Sequence, residues 1–266
     1  MRRTLSFTCA GETLWATLDA AAGETGLLIV SGGNEIRVGA HRGMARLAAD
    51  VAAAGHPVFR FDRRGIGDSS GANAEFEGSA DDLSAAISAF RAETPALRRI
   101  VAFGNCDAAS ALLIHAPAGL SGLVLSNIWV IEPQDDAMPP PAAIKAHYWA
   151  RMRDPKAWLS LFKGAVDLRK LVEGLTKVAR TESCPSGLAQ RVAEGLMRFS
   201  GPVRILLASG DGAAITFADA WKGHAFDPAR SRNDIQVQKI DTASHSFADE
   251  ADYAALKTAI LEMLRT

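Results

Sequence analysis

Cysteine is scarce in this sequence. Three cysteines occur in 266 residues, at Cys9, Cys106 and Cys184, and none belongs to a C-x-x-C pair. Such wide spacing argues against a disulfide framework and against a cysteine-ligated zinc site. We therefore expect a reducing compartment and neither a metal nor an organic cofactor.

Long apolar runs and a charge excess of either sign are also missing. No stretch reaches the ~20 apolar residues needed to span a bilayer, and the N-terminus lacks the apolar core of a signal peptide. The formal net charge of −1 gives no global attraction for nucleic acid or anionic membranes. These absences predict a cytoplasmic protein with no nucleic-acid partner and no transmembrane segment, and they leave the oligomeric state open.

What the sequence does contain is a regular alternation of short apolar runs with helical stretches. Strands are predicted at 27–30, 58–61, 100–103, 123–126, 203–208 and 235–240, and helices at 41–54, 80–91, 108–115, around Phe217 and at 253–264. This alternation predicts an α/β fold with a mostly parallel central sheet and helices on both faces. Ligands in such folds bind at the carboxyl ends of the strands.

One long interval interrupts the alternation. Between about 133 and 200 no convincing strand occurs, and helices are predicted at 142–153, 167–180 and 187–199. Because long insertions are usually functional, we interpret this one as a helical cap over the pocket, with ordinary packing helices as the alternative. The predicted domains are a core, 1–132 and 201–266, and a cap, 133–200.

The strongest local signal is Gly104-Asn105-Cys106-Asp107-Ala108-Ala109, where a predicted strand ends and a helix begins. It matches the G-x-nucleophile-x-G elbow of α/β hydrolases, with cysteine for serine and alanine for the last glycine. Small neighbours are required because strand and helix approach closely around a strained nucleophile. The helix N-terminus favours a thiolate at Cys106, whereas the Asp107 carboxylate opposes it. The alternative is that Cys106 is only a small buried residue.

An acid and a base follow in the order that this fold requires. His245 lies between the last predicted strand and the final helix, where a loop can reach back to the elbow, and it is the predicted base. Asp211 ends the preceding strand and is the predicted acid, which would fix the tautomer of His245 and stabilise its imidazolium. The order nucleophile, acid, histidine is that of α/β hydrolases. The alternative is that Asp211 only caps the next helix, with Glu132 as the acid.

A glycine-rich turn, Ser31-Gly32-Gly33-Asn34, follows the first clear strand, and we call it the oxyanion turn. Its glycines allow the backbone N–H of Asn34 or Gly33 to point at a developing oxyanion, with the N–H of Asp107 as the second donor. The next turn of this kind, Asp62–Ser70, is interpreted as structural.

Three possible anion-binding residues, Arg37, His41 and Arg42, come shortly after the oxyanion turn. They would bind a carboxylate or phosphate of the substrate by charge-assisted hydrogen bonds. The usual exposure of arginine favours the alternative, in which they are surface or helix-packing residues.

Several of these motifs together resemble hydrolase 1 of the exosortase A system. The resemblance is carried by Gly32-Gly33-Asn34, by Arg37-Val38-Gly39-Ala40-His41-Arg42, by Phe61-Asp62-Arg63-Arg64-Gly65-Ile66-Gly67-Asp68-Ser69 and by Gly104-Asn105-Cys106-Asp107-Ala108-Ala109-Ser110. It covers about residues 25–130 and implies a bacterial α/β hydrolase with a cysteine at the elbow, associated with exopolysaccharide production and protein sorting. The sequence departs from that pattern at Asn34, where a proline is usual.

The predicted chemistry is acyl transfer to and from a thiol. Cys106 attacks the carbonyl of a small-molecule ester, thioester or lactone, and water activated by His245 releases the acid from the acyl-cysteine. Two alternatives stay open: an acyltransferase that uses a saccharide or amine acceptor, and a non-catalytic scaffold or binding protein of the same fold.

Overall fold

The computed structural model describes residues 1–132 and 187–266 of the chain. Elements are numbered over these residues. The strands are Arg2–Cys9 (β1), Glu12–Asp19 (β2), Thr25–Val30 (β3), Val58–Phe61 (β4), Arg99–Asn105 (β5), Gly122–Ser126 (β6), Val203–Ala208 (β7) and Ile235–Ile240 (β8). The helices are Gly43–Ala53 (α1), Ala80–Glu93 (α2), Asp107–His115 (α3), Gly187–Arg198 (α4), Gly212–Ala220 (α5), Asp227–Arg230 (α6) and Glu250–Arg265 (α7), with short 3-10 turns at Ala40–Arg42 and His224–Phe226.

The eight strands form one sheet in the order β1-β2-β4-β3-β5-β6-β7-β8. β1 pairs antiparallel with β2, and β2 pairs antiparallel with β4. The other neighbouring strands pair in parallel. Every residue of β6 is buried, as expected for a central strand with helices on both faces. The predicted α/β-hydrolase fold with a mostly parallel sheet is confirmed, and all six predicted strands are present.

Helices cover the two faces of the sheet with separate apolar clusters. On one face α1 and α7 pack together, with Leu47 and Val51 of α1 and Leu256 and Ile260 of α7 buried. On the other face α2, α3, α4 and α5 contribute to the larger cluster. Because both faces are covered, the carboxyl ends of the strands are the edge where loops are free to form a site.

The N-terminal hairpin of β1 and β2 is not among the strands predicted from the sequence. Ala10 and Gly11, with φ of 49° and 85°, form its turn, and Phe7 packs against Phe59 and Phe61 with ring centroids 5.9 and 6.1 Å apart. Leu5, Phe7 and Cys9 alternate with polar residues, and this pattern in the sequence indicates a strand at β1. The hairpin lies at the edge of the sheet, away from the strands that lead into the candidate site.

Only the last helix predicted within the insertion falls in the described part of the chain. It is α4, which packs so closely on α3 that a Cβ added at Gly195 would lie 2.2 Å from the Leu113 carbonyl oxygen. Its residues Leu188, Val192 and Leu196 belong to the main core cluster. The helices predicted at 142–153 and 167–180 lie outside the described residues, and the division into core and cap stays a prediction.

Candidate active site

Cys106 lies in a tight turn between β5 and α3, with φ 61° and ψ −127°, a conformation that residues with a side chain rarely adopt. Its N–H donates to the Ser126 carbonyl oxygen at 2.9 Å, which ties the turn to β6. A Cβ at Gly104 would lie 2.9 Å from the backbone of Ala108, so only glycine allows strand and helix to pass. The Cys106 side chain is half-buried, so its sulfur is not enclosed in the core.

His245 and Asp211 meet at the same edge of the sheet. The Nδ1 atom of His245 lies 2.8 Å from Oδ2 of Asp211, although the two residues follow different strands. The second oxygen of Asp211, Oδ1, accepts the Ala214 N–H at 3.0 Å and caps α5. Asp211 therefore has both roles that the sequence leaves open: one oxygen caps the helix, and the other orients the histidine.

The electrostatics of this pair favour a charged imidazole. The hydrogen bond to Asp211, followed by a hydrogen bond to the Cys106 sulfur, raises the pKa of His245 to about 10, against an opposing effect of burial. For Asp211, burial alone would raise the pKa of the carboxyl, but the hydrogen bonds from His245 and Ala214 outweigh it and lower that pKa. Because Nδ1 faces Asp211, Nε2 is the ring nitrogen left for the sulfur.

Two asparagine side chains hold the backbone of the histidine loop. Asn105 and Asn127 both donate their side-chain N–H groups to the backbone carbonyl oxygen of His245, at 3.2 and 3.0 Å. The Oδ1 atom of Asn105 accepts the Ser126 hydroxyl at 2.7 Å, and that of Asn127 accepts the Ala208 N–H at 2.9 Å. Three neighbouring strands, β5, β6 and β7, thus hold His245 in position.

The oxyanion turn has an arrangement that the sequence does not predict. The N–H of Gly33 donates to Oδ1 of Asp107 at 2.7 Å, so the side chain of the residue after Cys106 accepts the hydrogen bond expected for a substrate oxygen. Arg63, which is 4% exposed, donates to the Gly33 carbonyl oxygen. The other candidate donor, Asn34, lies in an exposed part of the turn, where its side chain accepts from Asn73 at 2.9 Å.

The remaining predicted site residues are separate from this cluster or engaged elsewhere. Arg37 forms ion pairs with Asp62 and Asp68, which leaves its guanidinium committed within the protein. His41 and Arg42 are exposed at the start of α1, with φ of 52° and 61°. Substrate binding by these three residues stays a prediction.

Glu132, the alternative acid, is engaged at the start of α4. Its Oε1 accepts the Leu188 N–H at 2.9 Å. The acid that the structure brings to His245 is therefore Asp211.

Three residues that position the site were not predicted from the sequence: Arg63, Asn105 and Asn127. Arg63 follows β4 by two residues, Asn105 ends β5 and Asn127 directly follows β6. All three thus lie where the carboxyl ends of parallel strands meet at one edge of the sheet. A polar residue at or just after the end of a buried strand is the available signal. What it does not reveal is the partner that each side chain contacts.

Neither a metal centre nor a membrane span is found in the parts that the structure describes. Residues 1–132 and 187–266 contain no group of three or more His, Cys, Asp or Glu side chains that could hold a metal ion. Across the same two ranges no helix is both long enough and apolar enough to cross a bilayer.

Solved structures share the fold at low sequence identity. An esterase of Pyrococcus furiosus is 14% identical with a TM-score of 0.64, over 100% of this chain and 91% of that one. A putative aryl esterase of Burkholderia cenocepacia is 17% identical with a TM-score of 0.60, over 99% and 100%. Proline iminopeptidase of Mycobacterium smegmatis is 15% identical with a TM-score of 0.59, over 98% and 99%. At these identities the likeness shows the fold alone.

Sequence comparison identifies the family. No curated protein sequence matches the chain significantly. The model of one family, described as serine aminopeptidase S33, matches residues 27–252. That range extends from β3 to the start of α7 and contains the elbow, the oxyanion turn and the His245 loop. The chain therefore belongs to the serine aminopeptidase S33 family, within the α/β hydrolases.

Proposed function

We propose that the chain is a cysteine-nucleophile hydrolase that cleaves an ester, thioester or lactone through an acyl-cysteine. The observation that carries the proposal is the pairing of His245 with Asp211, 2.8 Å from Nδ1. The Cys106 sulfur contributes to the raised pKa of His245. The family is named for serine, and this chain has cysteine at the elbow. The esterases among the structural neighbours agree with an acyl substrate.

The first half-reaction begins with the Cys106 thiolate and the His245 imidazolium. The sulfur attacks the carbonyl carbon, a C–S bond forms, and the π pair of the carbonyl moves to its oxygen. When this intermediate collapses, the bond to the leaving group breaks and the leaving group takes the proton of His245. The products are a neutral imidazole and an acyl-cysteine.

The second half-reaction returns the enzyme to its starting state. In the acyl-enzyme the sulfur carries no negative charge, so one of the causes of the raised His245 pKa is gone. Neutral His245 then takes a proton from water, whose oxygen attacks the acyl carbon while the C–S bond breaks. A carboxylic acid leaves, and thiolate and imidazolium are restored.

The biological setting belongs to the same proposal. Similarity of the motifs at 32–34, 37–42, 61–69 and 104–110 to hydrolase 1 of the exosortase A system supports a role in bacterial exopolysaccharide production and protein sorting. Deleting the gene in its host and measuring exopolysaccharide output tests this role. Cytoplasmic residence stays a prediction.

The direct test is intact-mass spectrometry of the protein after mixing with an acyl panel. The panel contains p-nitrophenyl esters of increasing chain length, an acyl thioester, a lactone and an aminoacyl ester, the last because of the family's name. We expect one acyl adduct on the wild-type chain, mapped to Cys106 by peptide sequencing. His245→Gln should prolong the adduct's lifetime, because deacylation needs the neutral imidazole.

Cysteine variants provide the controls. Cys106→Ala should form no adduct, whereas Cys9→Ala should form the same adduct as wild type, because Cys9 is 3% exposed and lies in the core. An adduct that persists in Cys106→Ala, or full turnover in that variant, contradicts the proposal. Product analysis with an added saccharide or amine acceptor separates acyl transfer from hydrolysis, and a wild-type chain without any adduct favours a non-catalytic scaffold.

A further inference from the structure

The N–H expected to stabilise the oxyanion already has an acceptor inside the protein. Gly33 N–H donates to Asp107 Oδ1 at 2.7 Å. The same oxygen would lie 2.5 Å from a Cβ added at Gly32, so the carboxylate lies directly against the oxyanion turn. The absence of a side chain at residue 32 makes room for it.

The turn itself is held in place, which leaves the carboxylate as the group that must move. Arg63 donates to the Gly33 carbonyl oxygen, and Glu35 N–H donates to the Gly32 carbonyl oxygen at 3.0 Å. A substrate oxygen therefore reaches the Gly33 N–H only when the Asp107 side chain rotates away.

We infer that Asp107 is a specificity-determining residue whose carboxylate competes with the substrate carbonyl oxygen for the Gly33 N–H. The inference rests on the proposed acyl-cysteine chemistry. A developing oxyanion gains the full stabilisation of this donor only after the carboxylate is displaced. Acyl groups with many other contacts to the protein can offset that displacement, and small acyl groups cannot. The site therefore discriminates against small activated acyl compounds.

The test compares two reactions of the same sulfur. In acylation by p-nitrophenyl acetate, an oxyanion forms before p-nitrophenolate leaves. In alkylation by iodoacetamide, the C–S bond forms as the C–I bond breaks and iodide leaves, so no oxyanion forms. Removal of the Asp107 charge changes the reactivity of the thiolate in both reactions. Release of the Gly33 N–H accelerates only acylation. The second-order rate constant of acylation divided by that of alkylation therefore isolates the effect of the Gly33 N–H.

For Asp107→Ala we expect this ratio to rise by about tenfold or more, since a single oxyanion donor is worth ~10²–10³ in rate. Asp107→Asn, whose amide oxygen still accepts a hydrogen bond, should give a smaller rise and provides the measurement if the alanine variant does not fold. A longer acyl chain, such as p-nitrophenyl octanoate, should show a smaller rise than acetate. An unchanged or lower ratio in Asp107→Ala overturns the inference.

Hydrogen exchange of the Gly33 amide, followed by NMR, tests the contact without any turnover. We expect faster exchange in Asp107→Ala than in wild type, because the amide loses its acceptor, and equal exchange overturns the inference. If wild type and variants are alkylated but none is acylated by any member of the panel, the proposed function fails. The exchange measurement then still decides whether the Asp107 side chain occupies the donor.

Discussion

Two loops flank Cys106, and they are prepared for reaction to different degrees. On one side His245 is bonded to Asp211 at 2.8 Å and held at its backbone by Asn105 and Asn127. On the other side the Gly33 N–H is occupied by Asp107. In the proposed mechanism, the residues that activate Cys106 are therefore in place without substrate, whereas the Gly33 N–H becomes free for an oxyanion only when Asp107 is displaced.

The largest effect is expected for His245→Gln, which removes the proton carrier but keeps a similar volume. The single-turnover acylation rate should fall by about 10²–10⁴, the usual contribution of a general acid–base group. Stopped-flow release of p-nitrophenolate measures it. His224→Gln is the matched control, because His224 is fully exposed and pairs with Asp227, and it should react like wild type. Equal rates for His245→Gln and wild type would remove this residue from the mechanism.

Asp211→Asn should also slow acylation, but by less than His245→Gln does, because the base stays and loses only the group that orients it. The hydrogen bond to Asp211 is the largest cause of the raised His245 pKa, so the alkaline limb of the pH–rate profile should move to lower pH. Asp219→Asn on the surface of α5 is the control and should leave both quantities unchanged. A profile that does not move in Asp211→Asn would contradict the pairing.

In the oxyanion turn, replacement of Gly32 by alanine should cost more stability than replacement of Gly33. Gly32→Ala places a Cβ 2.5 Å from Asp107 Oδ1 and 2.8 Å from the Asn105 carbonyl oxygen, and it should lower the free energy of unfolding by about 1–3 kcal/mol. At Gly33 a Cβ meets nothing within 4 Å, so Gly33→Ala carries only the cost of its φ of 52°, about 1 kcal/mol.

Urea unfolding measures both variants. The Asp107→Ala background should reduce the cost of Gly32→Ala and leave that of Gly33→Ala unchanged. Equal costs for Gly32→Ala in the two backgrounds would show that the carboxylate does not lie against residue 32.

The smallest effect is expected in the pH dependence of stability, because the His245 side chain is 44% exposed and solvent screens its interactions. Because the pKa of His245 is raised to about 10 from 6.5, the folded state binds this proton more tightly. The resulting stabilisation is complete below pH ~6.5 and is lost as pH rises through ~10. The difference in Tm between wild type and His245→Gln should therefore shrink between pH 6.5 and 10. A constant difference over that range would mean that the proton is not held by this residue.

The acid–base pair, Asp211 and His245, is largely predictable from the sequence because its position depends on the order of the strands along the chain. Asp211 and His245 each follow a strand, and parallel strands bring such loops to one edge. Cys106 is predictable for a similar reason, since small residues on both sides of a strand-to-helix turn indicate an elbow. The use of both Asp211 oxygens is not predictable, because it depends on the register of the α5 N-terminus relative to the His245 loop.

The surroundings of the oxyanion turn are harder to predict, because their side-chain hydrogen bonds join loops that are distant in sequence. Asp107 is expected from the sequence to act through its backbone N–H and its charge, yet its side chain reaches Gly33, 74 positions earlier. Arg63 lies in the Asp62–Ser70 turn, interpreted as structural, and its guanidinium supports the Gly33 carbonyl oxygen. Side-chain conformations of this kind depend on how closely two loops approach, which apolar periodicity does not encode.

Local patterns and the order of strands and helices are sufficient to predict the α/β-hydrolase fold, the strand-to-helix turn at Cys106 and the chain order of Cys106, Asp211 and His245. The folded chain is needed to see that Asp211, and not Glu132, contacts His245, and that Asp107 accepts the Gly33 N–H. The physical reason is that hydrogen bonds form within about 3 Å, a precision that arises only when the loops are brought together on the sheet.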